Sequence, residues 1–274
     1  MILYQDLNLD KEVYYYYCCA SLGDTMLTLA LRKELEEKLN SKVIFILKET
    51  HKIIAKMYDI GDCIIIDNNI MKDKIEKSLS TNPKAGAIYA AHPCLHPELS
   101  DFFAPVKFQI STVKFLPWLY EFFGLEFNNK VRGPLFYPAL TDDLKRKIET
   151  IAPIDKIALI SPEAVSMMPI GDEFWESLID NIKKQGLVPV SNVIDPQRTV
   201  KGSRYIDLTI EEALKIGLYC REVHSLRSGL CDLLYDRGKD LHVYYPTHRG
   251  YFLYCMNDMF CRDDIDEQII IDEL

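Results

Sequence analysis

The stretch Ser225-Leu226-Arg227-Ser228-Gly229-Leu230-Cys231-Asp232 brings hydroxyls, a guanidinium, a glycine and a carboxylate together within a few positions. It follows an apolar run ending in Val223-His224 and leads into a helical pattern over residues 230–237. A strand, a Ser-Gly turn and a helix start, in that order, aim free backbone N–H groups at one spot. Such a spot attracts phosphate oxygens. Arg227 would add a two-pronged, permanently charged donor. The expectation is a diphosphate seat that uses Ser225, Arg227, Ser228, Gly229 and Asp232. The structural alternative is a plain helix start, with Asp232 offsetting the helix's positive end or pairing with Arg227.

Ser21-Leu22-Gly23-Asp24-Thr25 stands between an apolar strand pattern and a leucine-striped helix. In open parallel sheets, ligands sit outside the C-terminal ends of the strands. Asp24 is therefore expected at the mouth of a first domain, where a carboxylate can take a proton from an attacking hydroxyl. Ser21, Gly23 and Thr25 would line the acceptor side beside it. Ser21 and Asp24 also have the spacing of a capping pair, which alone would contribute about 1 kcal/mol of helix stability. Ser161-Pro162-Glu163-Ala164-Val165-Ser166 repeats this placement after a later strand. Ser161 and Ser166 can donate to phosphate, and Glu163 can accept from a ribose or sugar hydroxyl. The connection runs on to Gly171, longer than most strand-to-helix loops.

His92-Pro93-Cys94-Leu95-His96 carries zinc-type donors at alternate positions. Only three are local and Pro93 stiffens the segment, so His92 and His96 are read as lining an acceptor pocket. Asp264-Ile265-Asp266 has the Asp-x-Asp form that holds a divalent cation in some sugar transferases, but its terminal acidic run reads as a solvated tail. No metal site is expected.

The elements that must position these residues alternate strand and helix. Strand patterns cover 13–20, 43–47, 63–66 and 85–91, and Leu27, Leu31, Leu35 and Leu39 stripe a helix expected to lie on a sheet. Residues 112–127 are aromatic, with Phe115, Trp118, Phe122 and Phe123 near one helical face: core packing, or contact with a lipid tail. Gly133-Pro134 and Pro138 break the pattern, and the domain junction is placed there. The same grammar then restarts, with strands at 157–161, 187–191, 221–224 and 241–245. Helices are expected over 172–185, stopped by Gly186, and from Thr209-Ile210-Glu211-Glu212, a capping-box spacing, to about 217. The fold class is α/β, with domains at residues 1–138 and 139–274, the second ending in the acidic tail. Strands separated by helices favour parallel sheets with crossover connections.

Composition excludes several classes of function. The chain has 274 residues, 48% hydrophobic and 27% charged, with a net charge of -9. That balance argues against nucleic acid as a partner, because phosphate backbones need clustered Lys and Arg. No apolar run approaches the ~20 residues of a membrane span. The eight cysteines include no Cys-x-x-Cys pair and fall mostly in apolar runs. With no N-terminal signal segment, they imply a reducing, cytoplasmic location, with at most peripheral contact at the inner face of a membrane.

Gly23-Asp24-Thr25-Met26-Leu27-Thr28, followed by Ala30-Leu31-Arg32, resembles the N-terminal motif of the ADP-heptose:lipopolysaccharide heptosyltransferase family. Ile157 to Pro162, Phe174-Trp175 and a helix ending at Gly186 are similar to the start of that family's donor-binding domain. Leu226–Asp232 falls where those enzymes keep an Asp-Ser-Gly turn that contacts the nucleotide-sugar. Arg227 stands where the family has aspartate, Asp232 stands near its histidine, and no lysine matches the family's around 166–169. The resemblance implies a GT-B architecture, two Rossmann-like domains facing across a cleft. It also implies metal-independent, inverting transfer from a nucleotide-diphosphate sugar to a surface-polysaccharide or lipopolysaccharide acceptor, a saccharide or glycolipid. No cofactor beyond the co-substrate is implied. By position the family's acidic catalytic base is Asp24. A non-catalytic nucleotide-sugar binder and a nucleotide-sugar epimerase are the alternatives on the same scaffold.

Overall fold

A computed structural model describes residues 9–18, 21–66, 80, 82–92, 114–128, 131–165 and 167–271. The chain divides into two compact units, Met1–Tyr137 and Pro138–Leu274. Each is built on its own parallel sheet.

The first sheet contains β1 (Tyr14–Cys18), β2 (Val43–Lys48), β3 (Ile64–Ile66) and β4 (Ile88–Ala90), in the order β3-β2-β1-β4. All pairings are parallel. The alternation along β1 sends Tyr15 and Tyr17 to one face, where they pack with Val13, Ile46, Ile66 and Ile88. Tyr16 points to the other face and meets the rings of Phe45, Tyr89 and Phe123 at 6.3, 5.1 and 5.9 Å. Phe123 follows α4 (Phe115–Phe122), whose Phe122 stacks on Tyr89. The aromatic stripe is thus core, packed on the sheet.

The leucine-striped segment is two helices rather than one. α1 (Leu22–Ala30) is almost wholly buried, and α2 (Arg32–Leu39) buries only Leu35. The break is at Leu31, where ψ is 3°. It separates a helix surrounded by protein from an amphipathic one. Arg32, the first residue after the break, pairs with both Glu36 and Asp62 at 3.0 Å. α3 (Lys52–Met57) follows β2.

The second sheet holds β5 (Ile157–Ser161), β6 (Val188–Asn192), β7 (Arg204–Ile206), β8 (Glu222–Leu226), β9 (Leu241–Tyr245) and β10 (Asp266–Ile269). Its order is β10-β9-β8-β5-β6-β7, again parallel. Counted within the unit and from the other edge, that is the 3-2-1-4-5-6 order of a dinucleotide-binding Rossmann sheet. α5 (Asp142–Glu149) opens the unit, and α6 (Asp172–Lys184) buries Trp175, Ile179 and Ile182 against Ala158 and Ile160. α7 (Ile210–Tyr219) starts at a formed capping box of Thr209 and Glu212. α8 (Gly229–Leu233), α9 (His248–Tyr254) and α10 (Met256–Phe260) complete the order. Both units therefore have the Rossmann-like α/β fold expected.

The acidic C-terminal run is not a solvated tail. Part of it forms edge strand β10, and Asp264, Asp266 and Glu267 each have a donor. Asp264 pairs with Arg262 at 2.8 Å and Asp266 with His242 at 2.6 Å. Glu267 accepts the backbone N–H groups of Met256 at 2.7 Å and Asn257 at 2.9 Å, so it caps α10. Charge-assisted hydrogen bonds to these three carboxylates account for the order of the edge strand.

No helix among the described residues is long and apolar enough to cross a membrane. The described cysteines, 18, 63, 220, 231, 255 and 261, are free thiols.

Candidate functional site

In an open α/β sheet the ligand crevice opens at the C-terminal ends of the two strands where the order reverses. In the first unit those strands are β1 and β4. Asp24 follows β1 and His92 follows β4, and their Oδ2 and Nε2 atoms lie 3.8 Å apart. The Asp24 side chain is 23% exposed and that of His92 11%.

Asp24 also serves as a cap. Ser21 donates to Asp24 Oδ2 from its backbone N–H at 3.0 Å and from its hydroxyl at 2.7 Å, and the reciprocal half of the capping box is present. Both bonds that the carboxylate accepts from Ser21 fall on Oδ2. Among the described residues no hydrogen bond reaches Oδ1. Burial pushes the Asp24 pKa up. The neighbouring His92 imidazole and then the Ser21 hydrogen bonds outweigh it and hold the carboxyl below the ordinary range. Gly23 sits in the first turn of α1 outside the left-handed region, so no special turn requires it.

Thr25 is buried, and its hydroxyl shares a 2.8 Å hydrogen bond with His51 Nδ1 just beyond β2. Burial, and then the Lys48 cation, push the His51 pKa down to about 4, against a weaker opposite pull from Asp24. The imidazole is neutral at physiological pH. Three adjacent strands thus deliver Asp24, His51 and His92 to one rim. Sequence reading found Asp24, Ser21, Thr25 and His92 but missed His51 and Lys48, although both close β2 as Asp24 closes β1. His96 lies outside the described residues.

In the second unit the order reverses between β5 and β8. Ser161 and Ser225 are register partners there, and both are buried. Ser225 turns inward and donates to Leu226 O at 2.8 Å. Glu163, one residue past β5 and Pro162, lies 2.7 Å from Nη1 of Arg198, which is 63% exposed. Arg198 lies in a short turn after β6, so it too belongs to the ligand end. Sequence reading missed it. Ser166 lies outside the described residues.

Ser228 is extended at φ -150° and ψ 170°, and its side chain makes no cap hydrogen bond to α8. Gly229 opens that helix. Arg227 requires a correction. Its guanidinium is buried and every N–H arm is engaged. Nε donates to Tyr254 O at 3.1 Å and Nη1 to Ser228 O at 2.7 Å. Nη1 and Nη2 grip Asp232 at 3.1 and 2.7 Å, and Nη2 reaches Met259 Sδ at 3.7 Å. A fork with five donors so committed has none left for a phosphate. Arg227 and Asp232 are a buried structural pair, not donor ligands.

No family model and no curated protein matches the chain. Among solved structures it is similar to a family 9 glycosyl transferase from Veillonella parvula, with a TM-score of 0.58 and 12% identity over 98% of this chain and 90% of that one. It is also similar to E. coli ADP-heptose lipopolysaccharide heptosyltransferase II, with a TM-score of 0.51 and 11% identity over 94% of this chain and 90% of the other. The iron-containing dodecameric glycosyltransferase TibC from enterotoxigenic E. coli gives a TM-score of 0.55 and 12% identity over 86% of this chain and 58% of that one. These likenesses establish the fold, the paired Rossmann-like α/β architecture of GT-B type glycosyltransferases.

Proposed function

We propose that this protein is a glycosyltransferase that moves a sugar from a nucleotide-diphosphate sugar to a saccharide or glycolipid acceptor of surface-polysaccharide or lipopolysaccharide synthesis. The observation that carries the reading is the position of Asp24. It stands at the strand-order reversal of the first sheet, with His92 3.8 Å from one carboxylate oxygen and, among the described residues, no hydrogen bond to the other. The solved structures this fold resembles include a family 9 glycosyl transferase and an ADP-heptose lipopolysaccharide heptosyltransferase, which supports the substrate class.

In this reading the acceptor hydroxyl gives its proton to Asp24 Oδ1 while its oxygen attacks the anomeric carbon. The bond from that carbon to the diphosphate breaks, and its electron pair leaves on the phosphate oxygen. A single displacement inverts the centre. The low pKa of Asp24 keeps it ionised over the working range at some cost in basicity. In the second unit the donor's diphosphate lies at the Ser228-Gly229 turn that opens α8. Ser161 and Ser225 lie near the same strand ends, Glu163 accepts from a ribose hydroxyl, and Arg198 takes the cationic role. Fixed N–H dipoles and a guanidinium meet the charge growing on the leaving group, so transfer proceeds without a metal.

One observation favours a second reading, a non-catalytic nucleotide-sugar binder: the capping box already accounts for Asp24. A thermal-shift screen with ADP-, GDP-, UDP- and CMP-linked sugars, followed by assay of nucleoside diphosphate release, separates the two. A donor at a hundredfold its Kd stabilises by ~2.7 kcal/mol. Binding with acceptor-dependent release supports transfer. Binding without release in any acceptor mixture supports the binder, and binding of no donor removes both.

A further inference from the structure

Away from the C-terminal strand ends of both sheets, five side chains with ligand chemistry share one face of the second sheet. Glu222 and His224 alternate on β8, so both project to the same side. The register pairs His224 with His242 of β9 and His242 with Asp266 of β10, one row across three strands. The two imidazoles stack with centroids 4.3 Å apart and planes 5° apart. Their outer nitrogens are anchored: His242 Nδ1 to Asp266 Oδ2 at 2.6 Å, and His224 Nδ1 to the Tyr244 hydroxyl at 2.8 Å. Their inner nitrogens face one carboxylate. Glu222 Oε1 is 2.9 Å from His224 Nε2, and Glu222 Oε2 is 4.0 Å from His242 Nε2.

We infer that Glu222, His224 and His242 form a binding site for a zinc-class divalent metal ion, with Asp266 and Tyr244 orienting the two imidazoles. The three ligating atoms lie within 4.8 Å of one another. Ligands of a tetrahedral zinc, bound at about 2.1 Å, are about 3.4 Å apart, so small side-chain rotations close the set. Hydrogen bonding alone leaves the cluster incomplete, because the 4.0 Å from His242 Nε2 to Glu222 is too long for a hydrogen bond. An ion between the three satisfies both imidazoles at once. A carboxylate behind a ligating histidine is the arrangement that fixes tautomer and ring orientation at metal centres. Two imidazoles with one carboxylate suit zinc and its neighbours rather than magnesium or calcium. His242 is 20% exposed and Glu222 14%, which leaves a path for entry and a fourth position for water.

The ligands stand in the first half of β8 and β9, and diphosphates bind at the opposite ends of parallel strands. The ion is therefore a clamp. It ties β8 to β9 directly and, through Asp266, holds edge strand β10 in register. It takes no part in sugar transfer.

Metal-stripped full-length protein titrated with zinc sulfate, and separately with cobalt(II), tests this. We expect one equivalent to bind, a rise in unfolding temperature, and a cobalt spectrum without a thiolate charge-transfer band. His242→Gln and Glu222→Gln should each weaken zinc binding at least tenfold. Asp266→Asn, on the edge strand, should weaken it about 10- to 100-fold while the metal-free protein unfolds near the wild-type temperature. No binding, unchanged affinity in all three variants, or a thiolate band marking a cysteine site would overturn the assignment. If a ligand variant does not fold, the wild-type cobalt spectrum and Asp266→Asn still decide it.

Discussion

The Arg227 guanidinium grips both carboxylate oxygens of Asp232, at 2.7 and 3.1 Å, with neither side chain more than 6% exposed. Breaking a buried pair leaves an uncompensated charge, so Arg227→Ala should destabilise the protein by about 3–5 kcal/mol. Arg227→Met combined with Asp232→Leu should recover much of that loss. Urea unfolding of the single and double variants measures both effects. A loss below about 1 kcal/mol for Arg227→Ala would mean that the pair is not formed in solution.

His51 gives the fold a pH dependence. Its folded pKa, about 4, lies below the ordinary value of 6.5. Between those two values the unfolded chain binds the proton more readily, so stability rises with pH through this window. Acidification from pH 6.5 to 4 should cost on the order of 3 kcal/mol from this group. His51→Gln should flatten that part of the stability-pH curve, as read by urea unfolding at each pH. An unchanged slope would place the proton on His51 in the folded state.

His92 holds Asp24 ionised. Its removal in His92→Gln takes away the largest single contribution that lowers the Asp24 pKa. The acid limb of kcat/KM, where activity is lost as Asp24 takes up a proton, should then move to higher pH. A limb that stays in place would separate it from Asp24.

Much of this was visible in the sequence, for physical reasons that also explain the misses. Tyr14–Cys18 and Ile157–Ser161 are buried strands and read as unbroken apolar runs. The Asp24 turn was legible because its cap is local, three residues from Ser21. β10 was not, because Asp266-Glu267-Gln268 looks solvated until His242 and the start of α10 supply donors. His51 depends on Thr25, 26 positions away, and no spacing rule connects them. For Arg227 the pairing with Asp232, five positions on, was legible as the alternative reading, but the commitment of its remaining donors was not. Its partners Tyr254 and Met259 stand 27 and 32 residues downstream, and only the folded chain brings them under the guanidinium.

The central claim is that Asp24 takes the acceptor's proton, and Asp24→Asn tests it most directly. An asparagine there can still cap α1, so folding should survive with a loss within about 1 kcal/mol. With the donor that the nucleotide-sugar screen identifies, the thermal shift should match wild type. Acceptor-dependent release of nucleoside diphosphate should fall by about 10²- to 10⁴-fold. Release at a near-normal rate from a folded, donor-binding Asp24→Asn protein would contradict the account and leave Asp24 only a helix cap.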